Sequence, residues 1–233
     1  MISVIIPVYN QAEKLKQTLE SLNRQSYRDF EVIIVNDGST DNPEKTFTDF
    51  LTANNTELHF YFLNQKNQGA PAARNHGASQ AKGEYLFFCD ADAVLDPVAL
   101  ESLLATLINN PSASYAYPSF IWGKKIFKGR IFDPVELRRA PYIHTMALIR
   151  AEDFPSAGWD ESIKKFQDWD LWLTMLENNK VGIFVDQVLF TVAPGGTISS
   201  WLPSFAYKLF PFLPDVKKYK KAMAVIYAKH NLS

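Results

Sequence analysis

The amino-acid sequence predicts an α/β fold with a doubly wound, mostly parallel sheet flanked by helices. Short apolar runs at residues 3–10, 30–36 and 58–63 alternate with segments that favour helices at residues 12–25 and 43–51. This alternation is typical of parallel sheets, in which each helix connects two neighbouring strands. The 233 residues suffice for one large domain, and a hydrophobic content of 47% suffices for its core.

Local signals define the first elements. Pro7 cannot donate a hydrogen bond to a neighbouring strand, so we expect the first strand to leave the sheet there. Leu15, Leu19 and Leu22 have helical spacing and predict an amphipathic helix. The polar turn at residues 37–41 ends the second strand and carries an N-cap signal for the next helix.

A fourth apolar run, residues 85–89, ends abruptly in two carboxylates, Asp90 and Asp92. The run is short and rich in aromatic residues, which predicts a strand buried on both faces. Ligands of open α/β sheets bind at the carboxyl ends of the strands. Neighbouring carboxylates repel each other unless a cation lies between them, and oxygen ligands suit Mg²⁺ or Mn²⁺. The alternative is that Asp92 caps a following helix, and this stretch alone does not decide between the two.

Arg74 lies in the first turns of another predicted helix, which begins near Pro71 and ends before Gly83. A helix N-terminus attracts anions, and Arg74 adds a fixed positive charge there. This position favours either contact with a phosphate or site carboxylate, or a structural ion pair.

The second half of the chain is less regular. Residues 120–134 are aromatic and basic, which indicates either a mobile acceptor-binding loop or a surface hairpin. The other predicted elements are helices at residues 97–109 and 167–179 and strands at residues 114–117, 144–149, 181–185 and 188–192.

Charge and cysteine content narrow the function classes. A net charge of −1 gives no general attraction to nucleic acid. Cys89 is the single cysteine, so no disulfide can form within the chain, which fits a reducing compartment. The N-terminus has no signal-peptide pattern, and no apolar segment is long enough to span a bilayer. We therefore expect a cytoplasmic protein, with the inner face of the cell membrane as a further location.

The last stretch, residues 201–233, differs in character. It contains six lysines and one acidic residue, Asp215, and its first part is aromatic and interrupted by prolines. A basic, aromatic tail on an acidic domain is typical of contact with a membrane surface. The alternative, which we favour slightly, is a C-terminal helix that packs on the domain with its lysines in water.

Five stretches carry a resemblance to a known family. They are Val4-Ile5-Ile6-Pro7-Val8-Tyr9-Asn10, Val35-Asn36-Asp37-Gly38-Ser39-Thr40-Asp41, Gly69-Ala70-Pro71-Ala72-Ala73-Arg74-Asn75-His76-Gly77, Asp90-Ala91-Asp92 and Gln167-Asp168-Trp169-Asp170-Leu171-Trp172-Leu173. Their order and spacing resemble the family 2 glycosyltransferases, which have the GT-A fold and invert the anomeric configuration. The resemblance implies a GT-A domain over residues 1–200, with a nucleotide-binding half at about 1–96 and an acceptor half at about 97–200.

The resemblance also implies roles for individual residues. Those that would bind the nucleotide sugar are Pro7, Tyr9, Asn10, Asp37, Arg74 and Asp90. Among them, Asp37 would accept hydrogen bonds from the base or ribose. Asp92, together with Asp90, would hold Mg²⁺ or Mn²⁺ against the diphosphate.

Asp168 matches the family's general base. The acceptor hydroxyl loses a proton as it attacks, so an ionised carboxylate must face it, and a helix N-terminus favours that ionised form. Asp170 is two residues further along the helix, a rotation of about 200°, so it faces away and we expect it to cap or pair structurally. Of Trp159, Trp169 and Trp172 we expect at least one in the core and the others there or on an acceptor shelf.

Three positions depart from the family pattern. Gln167 stands where members usually have Glu, and Thr191 and Ala193 occupy the places of an Arg-x-His pattern whose histidine lies near the metal. His144 could supply an imidazole instead, but a histidine in a strand is more often packed in the core. The resemblance predicts transfer of a sugar, most commonly from a UDP-sugar, to a hydroxyl of a glycan or lipid-linked acceptor in cell-surface polysaccharide synthesis. The alternative is a catalytically impaired nucleotide-sugar-binding or scaffold subunit.

Overall fold

Helices cover both faces of one mixed sheet in the computed structural model, which describes residues 1–54, 56–194 and 213–232. The strands in these residues are β1 Ile2–Val8, β2 Phe30–Asp37, β3 His59–Gln65, β4 Tyr85–Phe88, β5 Ala93–Leu95, β6 Tyr115–Trp122, β7 Lys125–Phe127, β8 Leu148–Arg150 and β9 Gly182–Val192. The helices are α1 Ala12–Asn23, α2 Pro43–Ala53, α3 Ala70–Gln80, α4 Ala99–Asn109, α5 Pro134–Arg139, α6 Gln167–Glu177 and α7 Pro214–Lys229.

The strand order is β3-β2-β1-β4-β8-β6-β9-β5, with β7 beside β6. Strands β3, β2, β1 and β4 are parallel, whereas β8 runs antiparallel between β4 and β6. The parallel group places the ends of β1, β2 and β4 at one edge. This arrangement confirms the predicted fold class, and the edge is where the candidate site forms.

The first strand shows why the parallel strands are apolar throughout. Val4 and Ile6 pack into the hydrophobic cluster on one face of the sheet, and Ile5 packs into the cluster on the other. Because successive side chains point to opposite faces, a strand covered on both sides needs apolar residues at every position. Burial of both faces fixes the sheet on which the site residues stand.

Several boundaries differ from the predictions. Residues 181–185 and 188–192 form one strand, β9, because an irregularity opposite Ser119 accommodates the exposed Asp186 without ending the pairing. The strand predicted at residues 144–149 is restricted to β8, and α4 begins two residues after Pro97. The aromatic segment contains the β6–β7 hairpin, which turns at Gly123 with φ of 59°.

The basic tail packs on the domain where the structure describes it. Helix α7 buries Val216 and Ile226, and the lysines at 217, 218, 220 and 221 are exposed. This is the packed-helix alternative; residues 201–212, with most of the aromatic stretch, lie outside the described residues. Within the described part of the chain, no helix is long and apolar enough to cross a membrane.

Candidate active site

A cleft of about 350 Å³ opens at the carboxyl ends of β1, β2 and β4. The predicted site residues that line it are Pro7, Tyr9, Asp37, Arg74, Asp90, Asp92 and Asp168. Trp122, from the segment considered as an acceptor-binding loop, also lines it, as do residues that no sequence argument had placed there, among them Thr145, Lys164, Lys165, Phe166 and Tyr219. Carboxylates separated by more than 70 positions in the sequence therefore meet in one crevice.

Asn10 is the predicted site residue that does not line the cleft. Its Oδ1 accepts a hydrogen bond from the Thr40 backbone N–H at 2.8 Å, and its own N–H donates to Ser39 Oγ at 3.1 Å. Its φ of 51° lies in the left-handed region, which asparagine tolerates better than most residues. Asn10 thus ties the loop after β1 to the loop after β2, and a direct contact with the nucleotide stays a prediction.

Asp37 lies at the end of β2 and is only 2% exposed. Its carboxylate accepts hydrogen bonds of 2.8 Å from Gln65 Nε2 and from the backbone N–H groups of Gln68 and Gly69. A carboxylate has about four acceptor positions, so three donors leave little capacity for a ligand. Asp37 therefore fixes the loop that leads into α3, and the predicted contact with base or ribose remains untested.

Arg74 connects the two halves of the site. Its guanidinium donates to Asp90 Oδ1 at 3.3 Å and to Gln167 Oε1 at 3.0 Å. The same group lies 4.7 Å from the ring centroid of Trp159, a favourable cation–π distance. Because Gln167 is neutral, Asp90 is the anion that pairs with Arg74 among the described residues. The structural ion pair anticipated for Arg74 is thus present, and it lies within the cleft.

Asp90 and Asp92 lie on a tight turn between β4 and the short strand β5. The Ala93 N–H donates to Asp90 O at 3.1 Å, and the buried Thr18 hydroxyl donates to Ala91 O at 2.9 Å. Asp92 precedes a strand and caps no helix, which excludes the capping alternative. The turn directs both carboxyl groups into the cleft.

Asp92 is held by a lysine that motif analysis missed. Lys14 Nζ on α1 lies 3.2 Å from Asp92 Oδ2. Burial and the neighbouring Asp90 raise the pKa of Asp92, although Lys14 opposes that shift. No recurring pattern marks Lys14, since it is one polar position of an amphipathic helix; only the packing of α1 against the turn reveals it.

The donor set fits a divalent ion that takes most of its ligands from a substrate. No cluster of three or more His, Cys, Asp or Glu side chains that could hold a metal exists in residues 1–54, 56–194 and 213–232. Ala193, at the place where the family has histidine, donates its N–H to Asp92 O at 3.1 Å and offers no side-chain ligand. Mg²⁺ is commonly bound by one or two carboxylates plus substrate phosphates, which Asp92 and Asp90 can satisfy.

Asp168 lies in the first turn of α6 and is half-buried at the cleft wall. Burial raises the pKa of its carboxyl group, against the opposing effects of His144, of the Trp169 N–H at 2.9 Å and of Arg74. The expected effect of the helix N-terminus is therefore present but outweighed by desolvation. A carboxylate that is costly to keep ionised is well matched to accept a proton.

The opposite side of α6 is anchored to α7. Asp170 Oδ1 lies 2.8 Å from Lys229 Nζ and 2.9 Å from His230 Nε2, so Asp170 pairs structurally, as predicted. The turn before α6 is strained, because Phe166 has φ of 62°, and its ring packs edge-on against Tyr219 of α7 at 5.2 Å. The tail helix thereby helps to hold Asp168 in place.

The three tryptophans near α6 belong to the core. Trp169 and Trp172 are fully buried and Trp159 is 2% exposed. The indole N–H groups of Trp169 and Trp172 donate to the Leu137 and Ile143 carbonyls. None of the three forms an acceptor shelf.

The family follows from a sequence comparison. A family model described as glycosyl transferase family 2 matches residues 3–154. The chain belongs to this family. The match ends before α6, so Asp168 and α7 lie beyond the matched residues.

Curated relatives are similar over parts of the chain. YibD of Escherichia coli K12, an uncharacterized glycosyltransferase, is 39% identical over 109 residues, 47% of this chain and 31% of YibD. Glycosyltransferase GlyG of Streptococcus pneumoniae serotype 4 is 38% identical over 104 residues, 44% of this chain and 34% of GlyG. An uncharacterized glycosyltransferase of Rickettsia bellii is 29% identical over 197 residues, 78% of this chain and 27% of that protein. The chain thus spans about a third of the length of these relatives.

Solved structures share the fold. Staphylococcus aureus TarS 1-349 in complex with UDP-GlcNAc superposes with a TM-score of 0.73 at 20% identity, over 98% of this chain and 66% of that one. The mannosyltransferase PcManGT of Pyrobaculum calidifontis, in complex with GDP-Man and Mn²⁺, gives a TM-score of 0.70 at 20% identity over 98% and 70%. These likenesses establish the GT-A fold.

Proposed function

We propose that this family 2 member is an inverting glycosyltransferase that moves a sugar from a nucleotide sugar to an acceptor hydroxyl. The frequency of donors in the family favours a UDP-sugar. The acceptor would be a glycan or a lipid-linked intermediate in cell-surface polysaccharide synthesis. The observation that carries the proposal is the meeting of Asp90, Asp92 and Asp168 in one cleft.

The chemistry assigns a task to each side of the cleft. Asp168 would accept the proton of the acceptor hydroxyl as that oxygen attacks the anomeric carbon. Asp92 and Asp90 would hold Mg²⁺ or Mn²⁺ against the donor diphosphate, where the ion supplies charge neutralisation for the leaving group. Arg74 would fix the orientation of Asp90 through their ion pair. The PcManGT complex with GDP-Man and Mn²⁺ supports such a use of this fold.

Replacement of the base tests the proposal. We expect Asp168→Asn to lower transfer by about 10²- to 10⁴-fold, the usual contribution of a general base, while nucleotide binding persists. Asp186→Asn, an isosteric change at an exposed position outside the cleft, is the matched control. A radiolabelled donor and a panel of glycan acceptors give the rate. Wild-type turnover in Asp168→Asn would rule out the assigned base.

The donor can be identified by its effect on stability. A ligand that binds only the folded chain raises the melting temperature according to its concentration and affinity. We expect one nucleotide sugar, and its nucleoside diphosphate, to raise the melting temperature in the presence of Mn²⁺ and less in its absence. No response to any of UDP-, GDP- or dTDP-sugars would contradict nucleotide-sugar binding.

A second candidate function is a nucleotide-sugar-binding or scaffold subunit with little turnover. The observations that favour it are the Lys14–Asp92 ion pair, which neutralises the metal-binding carboxylate, and the alanine at position 193. Slow hydrolysis of the donor in the presence of Mn²⁺ distinguishes the two, since release of nucleoside diphosphate requires a working site.

A further inference from the structure

His144 contributes an imidazole to the cleft, and the proposed function assigns this group no role. His144 lies between α5 and β8, lines the cleft, and has a side chain that is only 9% exposed. Its ring packs against two phenylalanines of neighbouring strands, 4.6 Å from the Phe120 centroid and 5.2 Å from that of Phe190, and these two rings stack on each other at 5.2 Å. Burial against this stacked pair leaves the ring little rotational freedom.

A backbone hydrogen bond sets which ring nitrogen carries the proton. The Met146 N–H donates to His144 Nδ1 at 3.1 Å. Nδ1 is therefore the acceptor, and in the neutral imidazole the hydrogen must be on Nε2. The ring thus presents an N–H donor at its other end.

That donor faces a carboxylate across a gap. His144 Nε2 lies 3.8 Å from Asp90 Oδ2, too far for a hydrogen bond, while Asp90 Oδ1 is engaged by Arg74. Within the described residues Nε2 makes no hydrogen bond. A hydroxyl oxygen about 2.8 Å from both atoms fits this gap, because it can accept from Nε2–H and donate to Asp90. Without a bridging cation, a carboxylate or phosphate at this point would be repelled by Asp90.

We propose that His144 Nε2–H and Asp90 Oδ2 form a binding site for one hydroxyl of the transferred sugar, which His144 positions beside Asp168. The inference rests on the proposed function, because it assigns the polyhydroxylated part of the donor to this end of the cleft. His144 and Asp168 line the same cleft. The site selects a donor with a free hydroxyl at this point, and His144 acts as a specificity-determining residue.

Two amide substitutions separate the two ring nitrogens. In His144→Asn the amide can replace Nδ1 as the partner of the Met146 N–H, but it does not reach Asp90. In His144→Gln the longer amide can place an N–H where Nε2 stood. Dissociation constants for UDP, GDP, UDP-glucose, UDP-GlcNAc and GDP-mannose, measured by calorimetry with Mn²⁺ on the whole chain, give the readout.

We expect His144→Asn to raise the dissociation constant of the preferred nucleotide sugar by about tenfold and to leave that of its nucleoside diphosphate unchanged. In His144→Gln both constants should stay within about threefold of wild type. Equal binding of the nucleotide sugar by wild type and His144→Asn overturns the assignment, as does equal weakening of the nucleotide sugar and the nucleoside diphosphate. If wild type binds a nucleoside diphosphate sugar normally and only the variants contradict expectation, the proposed function survives; if wild type binds none, both fail.

Imidazole ¹⁵N NMR of the wild-type chain tests the same point without a substitution. The chain has four histidines, so the His144→Gln spectrum assigns the signal. We expect the Nε2–H tautomer, and an Nε2 shift on adding the nucleotide sugar that the nucleoside diphosphate does not produce. An Nδ1–H tautomer, or the same shift with both ligands, overturns the proposal.

Discussion

Asp170→Asn tests whether the tail helix α7 stabilises α6 through buried charge. The Asp170 side chain is 4% exposed and contacts two basic residues of the α7 end, Lys229 and His230. His230 Nδ1 also lies 2.9 Å from Glu177 Oε1, so both ring nitrogens face carboxylates, which favours the protonated imidazole. The substitution keeps the shape of the side chain and removes its charge.

The free energy of unfolding lost in Asp170→Asn depends on which contacts of Lys229 and His230 remain. Removing one partner of a buried ion pair costs about 3–5 kcal/mol. Lys229 is 34% exposed and keeps Asp160, and asparagine still offers one acceptor oxygen, so we expect a smaller loss than this, about 2–3 kcal/mol. For a chain of this length each kcal/mol shifts the melting temperature by about 2–4 °C, which gives a fall of about 4–12 °C.

The loss of stability in Asp170→Asn should depend on pH. Burial opposes the charge of His230, but its hydrogen bonds to Asp170 and Glu177 prevail and raise its pKa. A raised histidine pKa contributes stability that is complete below the unfolded value of about 6.5 and is lost as pH rises through the folded value. The difference between wild type and variant should therefore be largest near pH 6 and shrink at higher pH.

Scanning calorimetry from about pH 6 to pH 9 measures this difference. Asp215→Asn is the matched control, because Asp215 is 57% exposed and lies 3.8 Å from Lys218 on the same helix. Exposed pairs contribute little, so the control should stay within about 0.5 kcal/mol of wild type. A change in Asp170→Asn as small as that of the control, or one independent of pH, would refute the reasoning.

Three further predictions concern the cleft and the tail. Because burial raises the pKa of Asp168, the acid-side fall in turnover should occur at a pH above the ordinary aspartate pKa of about 3.9. Asp168→Asn should raise the melting temperature, since it removes a desolvated charge, and a lower melting temperature would contradict this. Lys14→Gln should lower the Mn²⁺ concentration needed for nucleotide-sugar binding several-fold, because it removes the cation that competes for Asp92, while Lys16→Gln on the exposed side of α1 should have no effect. If the exposed lysines of α7 contact a membrane, the chain should co-sediment with anionic vesicles at low salt and be released at high salt. Glutamine at positions 217, 218, 220 and 221 should then abolish binding, and no sedimentation of the wild-type chain at low salt would rule out membrane contact.

The strand ends of the site could be predicted because their positions follow from local pattern and one topological rule. Asp37 and Asp90 each end an apolar run, and parallel strands bring such ends to the same edge. The separation of Asp168 from Asp170 followed from helix geometry alone. Each of these arguments needs only residues close in sequence and a regular backbone.

The remaining contacts depend on packing between distant segments. Nothing near Lys14 in the sequence indicates Asp92, 78 positions away, because their distance is set by how α1 lies against the β4–β5 turn. Asn10 lies within a recognisable motif, yet its left-handed backbone directs its side chain to Thr40 and away from the cleft. Motif membership therefore locates a residue near the site without giving the direction of its side chain.

His144 shows how the same limit applies to chemistry. In the sequence it is one polar residue before an apolar run, and core packing is the more common outcome for such a histidine. Core packing did occur, against Phe120 and Phe190, but it leaves one nitrogen of the ring facing Asp90. A buried ring can thus be a structural residue on one side and a hydrogen-bond donor on the other.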